Sequence, residues 1–426
     1  MNAMHNIWPG RTVRNRGLKG VSILLFLLLF TFPLLPPKVA NILVMFWALF
    51  SVAAWLSEPS FPGRQILRNL VFVIPFLPYF LEWLISGGDP AIRFEMEKKL
   101  LLLCLPLILP FFLKISGFRS YRQALMVFTL SVISLLFITL IAMLAGGDFH
   151  HAFASDQPSW WLRTAFESRS QLHPTYASAF ALAALCFMWA VRGSIGRTER
   201  ILCLIGGFII VLSLIVIAAR ISFVIALALF VLMLLRSGRP WWQRLLAGFV
   251  IAALLASSVW LIPPLRERFA EFSGLSAGGS GVENTITRRA VIMGCGLQVF
   301  ADHWLCGTGS AASQGVLNGC YSASGMTYPP DQDFNAHNQY LTQGINYGTG
   351  ALLLFLGMLV LWVMRCRRIP EALFFILIVL MVFTSESILE RQHGVYFFTL
   401  ITLLIWEAAG EGGRMSPDRA QAENSL

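Results

Sequence analysis

Three short stretches carry residue types suited to a phosphorylated substrate. "AARIS" places Arg220 as the only charge between Ile201 and Leu235, "ITRRAVIMG" pairs Arg288 with Arg289, and "FNAHNQYLTQGINYGTG" sets His337 in a polar run ahead of an apolar segment. A guanidinium donates two parallel hydrogen bonds to a phosphate and keeps its charge. An imidazole takes or gives a proton near neutrality. Nearby in sequence type are Arg169 and His173 in "ESRSQLHP", and Glu386, Glu390, Arg391 and His393 in "TSESILERQHG". Glycosyl transfer from a polyprenyl diphosphate needs such a set: arginines to stabilise the leaving pyrophosphate and a histidine as base for the acceptor hydroxyl. No His/Cys metal cluster accompanies them, so the expected chemistry uses neither metal nor cofactor.

Each group also has a structural reading. Arg220 is suited to snorkel to an interface or to cap the preceding helix. Arg288 and Arg289 suit a solvated helix face, and Asn335 and Asn338 beside His337 suit a turn or helix cap. Glu386 and Glu390 share a helical face if the preceding helix continues, where pairing with Arg391 or a loop would account for them. Only common placement of these groups favours chemistry over structure, which makes topology decisive.

The elements that must place them are membrane helices. Of 426 residues, 57% are hydrophobic and 13% charged, a balance that excludes a soluble domain. Apolar runs of about 20 residues fit α-helices across a ~30 Å core, whereas a β-barrel would alternate apolar and polar residues in shorter runs. The expected fold is all-α and polytopic, with about twelve transmembrane helices at 20–36, 39–57, 68–86, 99–113, 122–145, 173–191, 201–219, 221–235, 245–262, 344–364, 371–386 and 394–410. The first run follows basic "RTVRNRGLK" without a small-residue cleavage pattern and reads as a retained helix. The run 201–235 would measure ~52 Å as one helix, so it divides in two with Arg220 at the turn.

Net charge is +10, but the cations are spread between apolar runs and give no nucleic-acid-binding face. With the N-terminus inside, 20 of the 32 Lys and Arg fall on the cytoplasmic side. The domain division is 1–262 for helices one to nine, 263–343 for a large, partly helical outer loop, 344–410 for the last three helices, and 411–426 for a disordered cytoplasmic tail. Arg220, the 263–343 loop and His337 then share the outer side. Cys306 and Cys320 in that loop are expected either to form a disulfide or to remain two free thiols.

These stretches resemble the O-antigen ligase family, which includes the O-antigen polymerases. "AARIS" resembles the family's Ser-Arg-Gly turn, with Ala219 and Ile221 replacing serine and glycine; "RRAVIMGCGLQVFADHWLCGTGS" resembles its arginine, helix and "PLLGVG" run; "AHNQYLTQGINYGTGALLLF" is similar to its His-Asn-x-Tyr-Leu motif, which includes Tyr340. The resemblance implies transfer of a glycan from undecaprenyl pyrophosphate to lipid A-core oligosaccharide, at the periplasmic face of a Gram-negative inner membrane, among membrane lipids and without nucleic acid. Arg220 with Arg288 or Arg289 would bind diphosphate, and His337 would be the base or a phosphate ligand; Arg169, His173, Tyr340, Glu386 and Glu390 are secondary candidates. The alternatives are a polymerase of the same superfamily and a transporter or flippase of lipid-linked sugars.

Overall fold

The computed structural model describes residues 9–57, 61–116, 121–191, 196–236, 240–270, 285–326 and 334–412. Among these are nineteen α-helices, short 3-10 segments and no strand. In chain order they are α1 (Pro9–Leu29), α2 (Pro37–Ser57), α3 (Gly63–Asn69), α4 (Leu77–Ile85), α5 (Pro90–Lys98), α6 (Leu101–Ser116), α7 (Tyr121–Ala145), α8 (Asp148–Ala154), α9 (Pro158–Ser170) and α10 (Pro174–Val191). There follow α11 (Arg197–Ile217), α12 (Arg220–Leu235), α13 (Trp241–Leu261), α14 (Pro263–Ala270), α15 (Thr285–Asp302), α16 (Ser313–Ala323), α17 (Gln339–Cys366), α18 (Pro370–Phe383) and α19 (Gln392–Gly412). Of the 411–426 tail expected to be disordered, Glu411 and Gly412 end α19, and residues 413–426 lie outside the described residues.

Five helices, α2, α7, α11, α17 and α19, are long and apolar enough to cross a membrane, and the number reaches eight if each of three bent pairs is one span. The chain is a polytopic helical membrane protein. The bent pairs are α3 with α4 at 73°, α5 with α6 at 43° and α9 with α10 at 77°; the first corrects the single straight helix expected at 68–86, while α6 and α10 follow the helices expected at 99–113 and 173–191. In the first pair Pro75 lies in the break, where it has no N–H to continue the helical ladder, and Pro78 sits in the first turn of α4, where a proline is tolerated. The run 201–235 does divide into two helices, with Ala218 in left-handed conformation at the corner (φ 46°).

The chain forms two compact units. The first comprises Met1–Ser131, Leu353–Leu373 and Leu389–Leu426. Its aromatic core includes Phe26, Trp47 and Phe112. Its buried charges are paired: Lys99 lies 2.8 Å from Glu390 and 3.4 Å from Glu95, and Arg68 bonds Glu407.

The second unit comprises Val132–Leu352 and Phe374–Ile388. Its α10 buries Ala177, Ala179, Ala181, Ala183 and Ala184, and small side chains of this kind let α9, α11 and α12 approach closely. Helices α15 and α16 enclose a separate apolar cluster around Ile292, Val299, Leu317 and Tyr321. A disulfide between Cys295 and Cys320 joins them, with Cα atoms 5.7 Å apart. Neither expected state of Cys306 and Cys320, bridged to each other or both free, holds: Cys306 is a free, exposed thiol, while Cys320 pairs with Cys295 on the α15 face that packs against α16.

The turn after α15 docks on a break in α17. Gly348 leaves the helical conformation (φ 75°, ψ −173°). Thr308 and Gly309 donate their backbone N–H groups to the carbonyls of Ile345 and Asn346, at 2.8 and 2.9 Å, and Thr349 donates to Trp304 at 2.7 Å. A side chain on Gly307 would strike the Asn346–Tyr347 backbone, and one on Gly348 would strike Leu305. The glycines are therefore required by close approach of two backbones as well as by positive φ. Hydropathy alone had placed the start of this apolar helix at 344, within what is one broken element beginning at Gln339.

Candidate active site

Arg220 stands at the first position of α12, immediately after the left-handed corner. That corner turns its side chain toward α14, where Nε donates to the Arg268 carbonyl at 3.2 Å. Arg289 in α15 reaches the Ser385 carbonyl at 3.3 Å. Arg220, Arg268 and Arg289 line one pocket of about 300 Å³, and Arg163 from α9 completes a set of four. The pocket's described lining includes no carboxylate; Ile221 and Val224 of α12 supply apolar wall.

The four cations are close enough to repel one another. Arg163 senses the like charges of Arg268 and Arg289, and the opposite charges of Glu167 and Glu386. Burial lowers the Arg289 pKa, Glu386 opposes that shift, and Arg220 and Arg268 add to it. Crowded guanidinia suit an anion, because a bound anion relieves both desolvation and repulsion.

His337 does not line this pocket. It stands just ahead of α17 with φ 45°, its N–H donated to Asn335 Oδ1 at 2.9 Å. Asn338 Oδ1 accepts from the Leu341 N–H at 3.0 Å and caps the helix, while Tyr340 donates its hydroxyl to the Leu380 carbonyl at 3.1 Å. His337 Nδ1 lies 3.1 Å from Glu386 Oε1. Burial by itself would raise the Glu386 pKa, but the hydrogen bond and charge of His337, together with His173 and Arg289, bring it down to about 2. Glu386 is thus a carboxylate at neutral pH and can only accept, so Nδ1 donates to it, and in the neutral imidazole Nε2 is the nitrogen with the lone pair. Glu386 links the two parts of the site, since it holds His337 and its charge acts on Arg289.

The other expected residues separate. Arg288 lies over the Phe334 ring at 5.7 Å and is not in the pocket lining, which selects Arg289 from the pair. Arg169 pairs with Asp148 at 3.0 Å. His173 accepts from the Thr175 N–H at 3.3 Å through Nδ1, and it acts on Glu386 through its charge. Glu386 and Glu390 do not share a helical face, because α18 ends at Phe383; Glu390 binds Lys99 and Tyr79 in the first unit.

Sequence reasoning missed Arg163 and Arg268. A signal was present: both are arginines on the inward stripe of otherwise amphipathic helices, Arg163 beside buried Leu162 and Phe166, and Arg268 three residues after buried Leu265. The expectation of metal-free chemistry also passed over Asp331-Gln332-Asp333, an Asp-x-Asp spacing that lies outside the described residues.

The family model described as O-antigen ligase matches residues 205–356. That span contains Arg220, Arg268, Arg288, Arg289 and His337, while Arg163 and Glu386 lie outside it. No curated protein matches the chain.

Proposed function

We propose that the protein is an O-antigen ligase, a glycosyltransferase that moves a glycan from undecaprenyl pyrophosphate to lipid A-core oligosaccharide at the periplasmic face of a Gram-negative inner membrane. The observation that carries this reading is the pocket with Arg163, Arg220, Arg268 and Arg289 in its wall, joined through Glu386 to His337. The charge bias supports a chain with its N-terminus inside and about twelve crossings, which puts these residues on the outer side.

In this mechanism the arginines hold the donor diphosphate. His337 Nε2 takes the proton of an acceptor hydroxyl while that oxygen attacks the anomeric carbon. The bond between that carbon and the diphosphate oxygen breaks, and undecaprenyl pyrophosphate leaves with the electron pair, its charge met by the guanidinia. Glu386 keeps the imidazole oriented and stabilises it once protonated, the role a carboxylate plays behind a catalytic histidine.

The test is transfer by purified protein in proteoliposomes, given lipid-linked glycan with lipid A-core in one reaction and lipid-linked glycan alone in another. Product on lipid A-core supports the ligase. Elongated lipid-linked glycan without ligation makes the protein a polymerase of the same family. Movement of the donor between leaflets without a new glycosidic bond makes it a transporter and overturns the enzymatic reading.

A further inference from the structure

The outward face of α8 and α9 carries a group of aromatic residues that the proposed chemistry leaves unused. Trp160 is 53% exposed, Trp161 42% and Phe153 59%. The two indoles meet edge to face with ring centroids 5.7 Å apart, and His151 lies over Trp161 at 6.4 Å with the rings inclined by 29°. His150 and His151 are themselves exposed.

An aromatic pair on a membrane protein has an ordinary explanation, anchoring at the lipid interface. The sequence of this face argues against it here. A helix lying in the interface presents an apolar stripe along its length. On α9 the outward positions after the indoles are Thr164 and Ser168, both exposed, and Asp156 and Gln157 precede the helix. The apolar residues Leu162 and Phe166 point inward and are buried. Exposed indole faces set at an angle to each other, with hydroxyl, amide, carboxylate and imidazole residues near them in sequence, suit pyranose rings, whose C–H face stacks while their hydroxyls hydrogen-bond.

The face is also continuous with the site. Arg163, in the wall of the diphosphate pocket, lies one helical turn after Trp160, ~4.5 Å further along the axis of α9. A sugar joined to a diphosphate in that pocket, or one approaching its anomeric carbon, would have α9 beside it.

We propose that Trp160 and Trp161 form a carbohydrate platform that stacks on pyranose rings of a glycan taking part in the reaction. This rests on the glycosyl-transfer reading, and the ring chemistry is common to donor and acceptor glycans.

The experiment compares wild type with Trp160→Ala/Trp161→Ala and Trp160→Phe/Trp161→Phe, each purified and checked for a monodisperse elution profile. Saturation-transfer NMR measures binding of two lipid-free probes, the core oligosaccharide and the O-glycan, and kinetics with the full lipid substrates give KM for each. The alanine pair is expected to weaken binding of one probe at least tenfold and raise KM for the substrate bearing that sugar by a similar factor, with kcat within about threefold; the phenylalanine pair keeps the stacking surface and stays near wild type. Whichever probe responds identifies the donor or acceptor side. Unchanged probe binding in the alanine pair overturns the platform, as does a loss confined to altered membrane partitioning, which would mark an interface anchor. Should wild type transfer no glycan at all, the enzymatic reading fails, and binding of the lipid-free probes still decides the platform by itself.

Discussion

Lys99 in the first unit is 1% exposed and has two carboxylates for company, Glu390 at 2.8 Å and Glu95 at 3.4 Å, with the Tyr79 ring 4.2 Å beneath its ammonium. The pocket of the second unit has four arginines in its wall and no carboxylate among its described lining residues. Both regions gather positive charge, but the described residues around Lys99 include carboxylates bonded to it, whereas the described lining of the pocket includes none. A neutralised buried charge holds structure together, whereas a cavity walled by guanidinia suits an anion. The same contrast separates Glu390 from Glu386, four residues apart: one neutralises a buried lysine, the other orients a histidine.

The sharpest way to break this contrast is at His337. As the base, His337→Ala should lose ~10²–10⁴-fold in rate, flatten the acidic limb of the pH-rate profile and leave donor binding nearly intact. A proportional loss of donor binding with an unchanged profile would make the histidine a phosphate ligand instead. Glu386→Gln should lower kcat and spare donor binding. The pair also has a stability signature: Glu386 has a folded pKa of about 2 against its ordinary 4.5, so its contribution is whole above pH 4.5 and is lost as pH falls toward 2. Melting curves between those limits should fall less steeply for Glu386→Gln than for wild type.

In the first unit the expected loss is stability. Lys99→Met leaves Glu390 without its cation, while Glu95 keeps Lys98 at 2.6 Å, and breaking a buried pair in this way costs roughly 3–5 kcal/mol. Activity per folded molecule should hold, which thermal unfolding and a rate normalised to folded protein would establish together. A kinetic defect without destabilisation would erase the distinction between the regions.

A smaller effect is expected from Arg220→Lys, which keeps a charge and loses the planar fork. Activity should fall on the order of 10²-fold, the scale of one lost transition-state donor, and inorganic pyrophosphate should raise the melting temperature of wild type more than that of the variant. Arg289→Lys should behave alike, and Arg288→Lys should be milder because that side chain packs on Phe334. A chelator bears on the same arginines: if they supply the needed charge, EDTA leaves the rate unchanged, and loss of activity restored by a divalent cation would bring Asp331 and Asp333 into the site.

How far the sequence revealed this depends on the range of the forces involved. The corner at Arg220 was legible because a 35-residue apolar run with one charge exceeds a bilayer's thickness, and the helix opened by Arg288 and Arg289 followed from local periodicity. The contact of His337 with Glu386 spans 49 residues and has no local pattern, and the convergence of Arg163 with Arg268 depends on packing between α9 and α14. The bend at Pro75 divides a helix that hydropathy read as continuous, because hydropathy averages over the residues that break a helix.

The smallest expected effect concerns the cysteines, where proximity in sequence was a poor guide. Cys306 and Cys320 are fourteen residues apart and in one loop, yet Cys320 lies across a helix pair from Cys295, whose place on the inward face of α15 brings the two Cα atoms within bridging distance. Closing a 25-residue separation should contribute about 3 kcal/mol to the stability of the α15–α16 hairpin, by restricting the unfolded chain. Cys306→Ser should then leave both stability and transfer unchanged, while Cys295→Ser and Cys320→Ser should lower the melting temperature alike, and the double variant little more than either. Because α15 also carries Arg289, loosening the hairpin should weaken pyrophosphate binding modestly before it abolishes activity. Peptide mapping after alkylation without reduction gives the direct check: a Cys295–Cys320 linked peptide with alkylated Cys306 is expected, and a linked Cys306 would restore the pairing that sequence proximity suggested.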